Sequence, residues 1–284
     1  MKYILTRFVI LTVAVALIKI AIAQNLSFPS CGTLIITGGS ITKEGIKSFV
    51  DNAGGAGADL IFIPSASSGI RLDSGFTWEP ADTSTEKIRA FEDHLASYFG
   101  VKKITVLHTT RKEVANSEQF AKRIATANGV WLGSGNAGRY ADIFLGTKTW
   151  KELNKLLARG GVIGGNSAGS IIQCSYIIRG RPDKPVLMAA GHEQGFGFLK
   201  NVVINPHLLS AKRETELVNV LDRHPELTGF GIDDEITFVI KKGIIETKGD
   251  GLVYVYDNQL RDGKWWYTFA VGKKFSLKDK KVVE

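Results

Sequence analysis

Gly160-Gly161-Val162-Ile163-Gly164-Gly165-Asn166-Ser167-Ala168-Gly169-Ser170-Ile171-Ile172-Gln173 reads as a short buried strand, a glycine turn, one serine and an apolar helix start. Within it, Gly165 to Gly169 fits G-x-S-x-G, a strand-to-helix turn that lifts a serine above the edge of a sheet. Glycine suits such a turn, because backbone at positive φ or in close approach to substrate leaves no room for a Cβ. The helix that follows aims its free N–H groups and positive dipole end at the place where an oxyanion would form. The pattern alone occurs by chance, and the competing reading is a glycine turn with a serine N-cap. The strand before it and the helix after it favour the nucleophile.

Outward from this stretch, apolar runs alternate with helical periodicity. Thr33 to Thr37, Asp59 to Pro64, Ile104 to Leu107 and Gly129 to Leu132 are runs without polar alternation, as expected of strands buried on both faces of a parallel sheet. Between them, Lys43 to Asn52, Thr85 to Tyr98, Ser117 to Ala127 and Trp150 to Ala158 carry helical spacing. Strand alternating with helix predicts βαβ crossovers, an α/β fold with a mostly parallel central sheet flanked by helices. Four strands end in small-residue loops, at Gly38-Gly39, Ser65 to Ser67, Gly133 to Asn136 and Gly164 to Ser170. Ligands of open α/β sheets bind beyond the carboxyl ends of the strands, so these loops are expected to line one cleft. After about residue 200 the texture changes. Phe238 to Ile240, Leu252 to Tyr256 and the Gly263 to Trp266 turn predict C-terminal antiparallel strands. No G-x-G-x-x-G with a ribose-binding acid and no Walker-type G-K-[ST] occurs, which argues against a nucleotide site.

The chain has 284 residues, 44% of them hydrophobic, enough for one sizeable core. Residues 1–23 stand apart. Lys2 and Arg7 precede an apolar run from Phe8 to Ile18, and Ala21-Ile22-Ala23 has the A-x-A form of a cleavage site before Gln24. This is the pattern of a secretory signal peptide, leaving residues 24–284 as a single domain, secreted or periplasmic. Lys19 is unusual in such a segment and leaves an uncleaved anchor as the minority reading. Cleavage removes Lys2, Arg7 and Lys19 and no acid, so a net charge of +8 falls to +5. The basic residues fall in small clusters, Lys102-Lys103, Lys241-Lys242 and Lys273 to Lys281, with no concentrated nucleic-acid footprint, and read as surface solubility. No second apolar stretch is long enough to span a bilayer, so no membrane contact is expected after cleavage. Cys31 and Cys174 would meet an oxidising compartment, and whether they pair is open. No zinc-type Cys/His spacing is present; no metal or cofactor is expected.

A serine nucleophile needs a base within hydrogen-bond reach and an acid to orient it. Of the five histidines, His94 lies in a helix, His108 ends a strand and His224 sits in a polar turn. His207 follows the apolar run Val202 to Ile204 and leads His192, which lies in a glycine-rich loop, by a small margin. For the acid, Asp233-Asp234-Glu235 directly precedes a strand. Because successive strand side chains point to opposite faces, Asp234 and Glu235 should diverge, and only one can reach an imidazole. No histidine follows this cluster, so the Ser, acid, His order of an α/β hydrolase fits poorly.

Gly165 to Ser170, Gly195-Phe196-Gly197-Phe198-Leu199, His207 with Arg213, and Gly229 to Asp234 together resemble the cyanophycinase and aspartyl-dipeptidase family of serine peptidases. The resemblance runs from about Thr33 to Asp257. It implies a class I glutamine-amidotransferase-like fold, Ser167 as nucleophile, His207 as base and Asp234 as the acid, where cyanophycinases are expected to have Glu. It further implies oxyanion donors at the backbone N–H of Ala168 and of Gly135 in the Ser134-Gly135 turn, and substrate contacts from Asn136, Asn166 and Arg213. Departures stand at Ala137 after Asn136, at Asn205-Pro206 before His207, and at Glu216 where the family has a basic residue.

The function expected from this resemblance is an exported serine peptidase hydrolysing aspartyl peptide bonds, cyanophycinase-like, releasing Asp-Arg dipeptides from a polyaspartate that carries arginine on its side chains. An Asp-X or isoaspartyl dipeptidase is the alternative, and a catalytically inactive binding protein of the same fold is the reading from another class. The expected partner is a peptide or cyanophycin-like polymer, with no nucleic acid; a homodimer is left open.

Overall fold

The computed structural model describes residues 28–71, 76–81 and 84–283. The signal peptide expected over residues 1–23 lies outside them. The described chain runs β1 (Thr33–Thr37), α1 (Lys43–Ala53), β2 (Leu60–Ile63), β3 (Ile70–Arg71), β4 (Thr77–Trp78), α2 (Thr85–Phe99), β5 (Ile104–Val106), α3 (Lys112–Ala115), α4 (Glu118–Ala125) and β6 (Gly129–Leu132). It continues through α5 (Ala137–Phe144), α6 (Lys148–Ala158), β7 (Val162–Asn166), α7 (Ala168–Ile171), β8 (Val202–Asn205), α8 (Glu216–Arg223) and β9 (Thr228–Gly231). The last strands are β10 (Thr237–Lys241), β11 (Ile244–Lys248), β12 (Leu252–Tyr256), β13 (Tyr267–Ala270), β14 (Lys274–Ser276) and β15 (Lys281–Val282).

A nine-stranded sheet has the order β15-β14-β11-β10-β1-β7-β6-β2-β5. Its β1-β7-β6-β2-β5 half is parallel, and β10 joins β1 antiparallel to carry the sheet on through the C-terminal strands. The expected α/β class, with a parallel half and C-terminal antiparallel strands, is what the chain adopts. Continuous apolar runs form these strands because both faces are covered. Leu34, Ile36, Ile61, Ile63, Val130, Leu132 and Ile163 face one core, while Ile35, Leu60, Phe62, Trp131 and Val162 face the other. That alternation is the strand period of two. In the second core Phe49, Phe99 and Trp131 meet edge to face at centroid distances of 5.2–6.1 Å, the favoured aromatic geometry.

A second sheet, β13-β12-β9-β8, packs on the first core through Val202, Ile204, Phe230 and Val253. Its other face meets α8, with Val203 and Tyr256 against Leu217, Val220 and Leu221. The chain passes from this sheet back to the first between β9 and β10, and that crossing carries Asp233, Asp234 and Glu235.

Two expectations need correction and one open question is answered. The turn read at Gly263 to Trp266 is a narrow Arg261–Lys264 bridge, and the strand begins only at Tyr267. The helix α5 was not expected after the Gly133 to Asn136 loop; Asn136 caps it, its Oδ1 accepting the Gly138 N–H at 2.8 Å. The cysteines are free thiols in different surroundings, Cys31 exposed and Cys174 buried, so no disulfide forms. Burial pushes the Cys174 thiol up to about 12, which leaves it inert.

Candidate active site

Ser167 follows the last residue of β7 and stands at φ 50°, ψ −109°, a strained turn for a residue with a Cβ. Neighbours fix this turn from below. The Ser170 hydroxyl lies 2.8 Å from the carbonyl oxygens of both Thr37 and Gly165 and accepts the Thr37 N–H at 3.1 Å. Gln173 Nε2 donates to the Gly169 carbonyl at 2.9 Å. A Cβ on Gly169 would lie 2.0 Å from the Leu132 carbonyl, so α7 reaches this close to β6 only because position 169 is glycine.

His207 Nε2 is 2.9 Å from Ser167 Oγ, and His207 Nδ1 is 2.5 Å from Asp234 Oδ1. Ser167 rises from the first sheet, His207 from the end of β8 in the second, and Asp234 from the crossing between the two. The imidazole is 34% exposed and the carboxylate 37%, so the pair opens on a cleft and is not sealed in the core. This geometry can pass a proton from hydroxyl to imidazole while the carboxylate holds the tautomer and balances the imidazolium.

The three carboxylates expected together do three different things. Asp234 meets the imidazole. Asp233 Oδ1 accepts the backbone N–H groups of Leu209 and Ser210 at 3.2 and 3.1 Å, tying down the loop that carries His207. Glu235 is exposed and faces a groove of about 1180 Å³ that begins at Ser167 and runs past Ser40, Lys43, Tyr98 and Asp250.

On the other side of Ser167 lies a cavity of about 250 Å³ lined by Gly135, Ala168, Arg179, Pro185, His207 and Arg213, among others. Among the described residues neither the Gly135 nor the Ala168 amide has an acceptor in the chain, so both are free to meet an oxyanion. Arg213 donates to the Pro206 carbonyl at 3.2 Å. Burial, then the charge of Arg179, hold its guanidinium below the usual arginine range. Arg179 was not expected from the sequence. It is 8% exposed, donates to Asn205 Oδ1 at 3.0 Å and pairs with Glu216. Asn205 Nδ2 in turn donates to Glu216 Oε2 at 3.1 Å. The two departures at Asn205 and Glu216 are thus halves of one partly buried network that seats Arg179.

Asn166 lines the long groove beside Ser167, but its amide is engaged within the fold. Its Oδ1 accepts from Trp131 Nε1 at 3.2 Å and its Nδ2 donates to the Gly39 carbonyl at 3.0 Å, at 4% exposure. It shares the strand face of Val162 and Trp131, so its amide is turned into the second core. Asn136 lines the smaller cavity, but its amide caps α5 and donates to the Arg181 carbonyl at 2.7 Å, which makes it a brace for the Gly135 loop. The Ser65 to Ser67 loop faces a separate cavity with Arg139 and Pro182. It reaches the cleft only by support, the Ala66 carbonyl accepting the Asn136 N–H at 3.0 Å. The other histidines lie elsewhere: His108 against Ser65 Oγ at 3.2 Å, His192 beside Asp142 at 4.0 Å, His94 stacked on Phe76 and His224 near Glu226. No group of three or more metal-ligating side chains occurs among the described residues.

A family model described as peptidase family S51 matches residues 34–247. The chain belongs to peptidase family S51. It is therefore a serine-type peptidase. A cyanophycinase of Trichormus variabilis is 26% identical over 233 residues, covering 79% of this chain and 73% of that protein. A cyanophycinase of Geminocystis herdmanii is 25% identical over 221 residues, 76% of each chain. Among solved structures, a peptidase from an acI-B1 Actinobacterium superposes with a TM-score of 0.64 at 19% identity, over 88% of this chain and 98% of that one. A putative peptidase E protein from Listeria monocytogenes gives 0.52 at 15%, over 78% and 100%. These two likenesses speak for the S51 peptidase fold.

Proposed function

We propose that this S51 peptidase hydrolyses peptide bonds at aspartyl residues by an acyl-enzyme route, with cyanophycin as the leading substrate. The observation that carries this reading is the pair of guanidinium groups beside Ser167. Arg213 is partly withdrawn from water and shares the cavity with the like charge of Arg179, and that excess of positive charge favours a carboxylate within reach of the serine. Glu216 neutralises one of the two charges from behind and leaves the other for the substrate.

In this mechanism Ser167 Oγ attacks the scissile carbonyl as His207 Nε2 takes its proton, and Asp234 stabilises the imidazolium. The amides of Gly135 and Ala168 receive the oxyanion. His207 then protonates the leaving amine, and water attacks the acyl-enzyme by the reverse relay. The long groove on the far side of Ser167 supports a polymer over a dipeptide, since it continues well beyond the small cavity. Cyanophycin is a polymer outside any cell that does not make it, so export through a cleaved leader accords with this substrate.

The test is hydrolysis by the purified protein of cyanophycin, of Asp-X dipeptides and of isoaspartyl dipeptides, beside labelling by a fluorophosphonate probe. Release of Asp-Arg dipeptides from the polymer is expected. Turnover of dipeptides alone would replace the polymer reading with the dipeptidase, and no labelling with no turnover would leave a binding protein. Sequencing of the exported protein should begin at Gln24; a mature form that retains Met1 would overturn the cleaved leader.

A further inference from the structure

Lysines that are scattered in the sequence gather at one end of the large sheet. Register fixes their placement. Lys241 faces Thr33 across β10 and β1, and Thr33 continues through Val162, Gly129 and Leu60 to Ile104, the residue after Lys103. In the other direction Lys241 faces Ile244, then Ser276, then Lys281. One row thus crosses the whole sheet at the start of its parallel strands. It begins with Lys102 and Lys103 and ends with Lys280 and Lys281, with the Lys241-Lys242 turn between; all six are exposed. Asp59 and Asp279 are exposed carboxylates at this end, and Asp279 is engaged by the Ser276 hydroxyl at 2.7 Å. Ser167 stands beyond the opposite end of β7, about 15 Å away at the rise of a strand.

A second observation points to the same end. Phe28 packs on the Lys242-Gly243 turn, where a Cβ on Gly243 would lie 2.4 Å from its ring. It also lines a cavity of about 230 Å³ with the exposed Lys200. The segment that leads into the fold, with its apolar run from Phe8 to Ile18, therefore joins the domain beside the lysines.

We propose that this lysine end docks on an anionic phospholipid surface, leaving the peptidase cleft facing away from the bilayer. The choice of a bilayer over another polyanion rests on the proposed export, which carries the chain across a membrane and leaves its first mature residues, beside these lysines, at that membrane; it revises the expectation of no membrane contact after cleavage. Each lysine held near an anionic bilayer strengthens binding about fivefold, and salt screens the effect.

The test is cosedimentation of the purified protein, its N-terminus sequenced, with phosphatidylcholine vesicles containing or lacking about one third phosphatidylglycerol. Binding to the anionic vesicles alone is expected, with release by about 0.5 M salt. The triple variant Lys241→Glu/Lys242→Glu/Lys281→Glu should bind about a hundredfold more weakly or worse, while its fluorophosphonate labelling stays at the wild-type level. Wild type and variant share one N-terminus, so a retained leader contributes equally to both, and its insertion resists salt. Unchanged binding by the variant, or no binding to anionic vesicles, would overturn the proposal. Retention on heparin without vesicle binding would also overturn it, in favour of a soluble polyanion.

Discussion

A Cβ on Gly39 would lie 1.9 Å from Asp234 Oδ1 and 2.9 Å from His207 Cε1. The end of β1 therefore shapes the candidate triad without contributing a functional group, by leaving empty the volume that the carboxylate fills. Gly39→Ala is expected to displace Asp234 and lower kcat/KM about a thousandfold, a large part of the cost of losing the acid itself. Circular dichroism should show the fold retained. A variant within tenfold of wild type would show that the carboxylate has another place to sit.

Asp234→Asn should lower kcat about ten-thousandfold, because an amide neither stabilises the imidazolium nor selects the productive tautomer. Glu235→Gln should leave kcat close to wild type, since Glu235 faces the groove. Asp233→Ala should act on stability, losing about 1–3 kcal/mol as two loop amides give up their acceptor. Turnover and denaturant midpoints of the three variants separate these roles, and a crippled Glu235→Gln would contradict the assignment.

Ser167 holds a positive φ with a Cβ attached. Ser167→Gly should relieve about 1 kcal/mol of strain and raise Tm while abolishing probe labelling. Ser167→Ala should be equally inactive without the gain, because its Cβ remains. Differential scanning calorimetry distinguishes the two, and equal Tm values would mean that the turn carries no strain.

Arg213 and Arg179 should fail differently. Arg213→Met is expected to raise KM for aspartyl substrates about tenfold or more, by removing a charge-assisted contact. Arg179→Met should lower stability by about 1–3 kcal/mol, since Glu216 and Asn205 both lose their partner. Steady-state kinetics and urea unfolding on each variant decide this, and a stability loss at Arg213 with an unchanged KM would reverse the roles.

His108 gives a pH signature away from the cleft. Burial lowers its pKa to about 4, below the value of about 6.5 expected for the unfolded chain. The unfolded state then binds more protons between these values, so stability rises with pH across the window and is lost as pH falls from 6.5 toward 4. His108→Asn should flatten that slope, measured by chemical unfolding at several pH values. An unchanged slope would place its origin in other groups.

The strands of the parallel half were legible because burial on both faces leaves long apolar runs such as Leu60 to Ile63. Ser167 and His207 were legible because each directly follows, or nearly follows, such a run. For Asn166 the motif gives its place beside Ser167 but not the strand face, which turns its amide toward Trp131 while the residue still lines the groove. Arg179 was out of reach, since it lies in the irregular stretch between α7 and β8, where no periodicity reports which side chain points inward. The helix α5 was missed because Ala137-Gly138 is a weak start, although Asn136 offered the cap. Asp234 and Glu235 do part company, but in a turn before β10 where the strand alternation expected of them does not apply; which of them meets the imidazole depends on the second sheet.

The three residues of the relay are made in a fixed order. During synthesis His207 arrives 40 residues after Ser167, and Asp234 a further 27 residues later. The strand that holds the crossing in place, β10, must then insert beside β1, the first strand of the described fold. A chain still being made therefore presents a serine without its base or acid. The relay is complete only once the last third of the polypeptide has closed against the first.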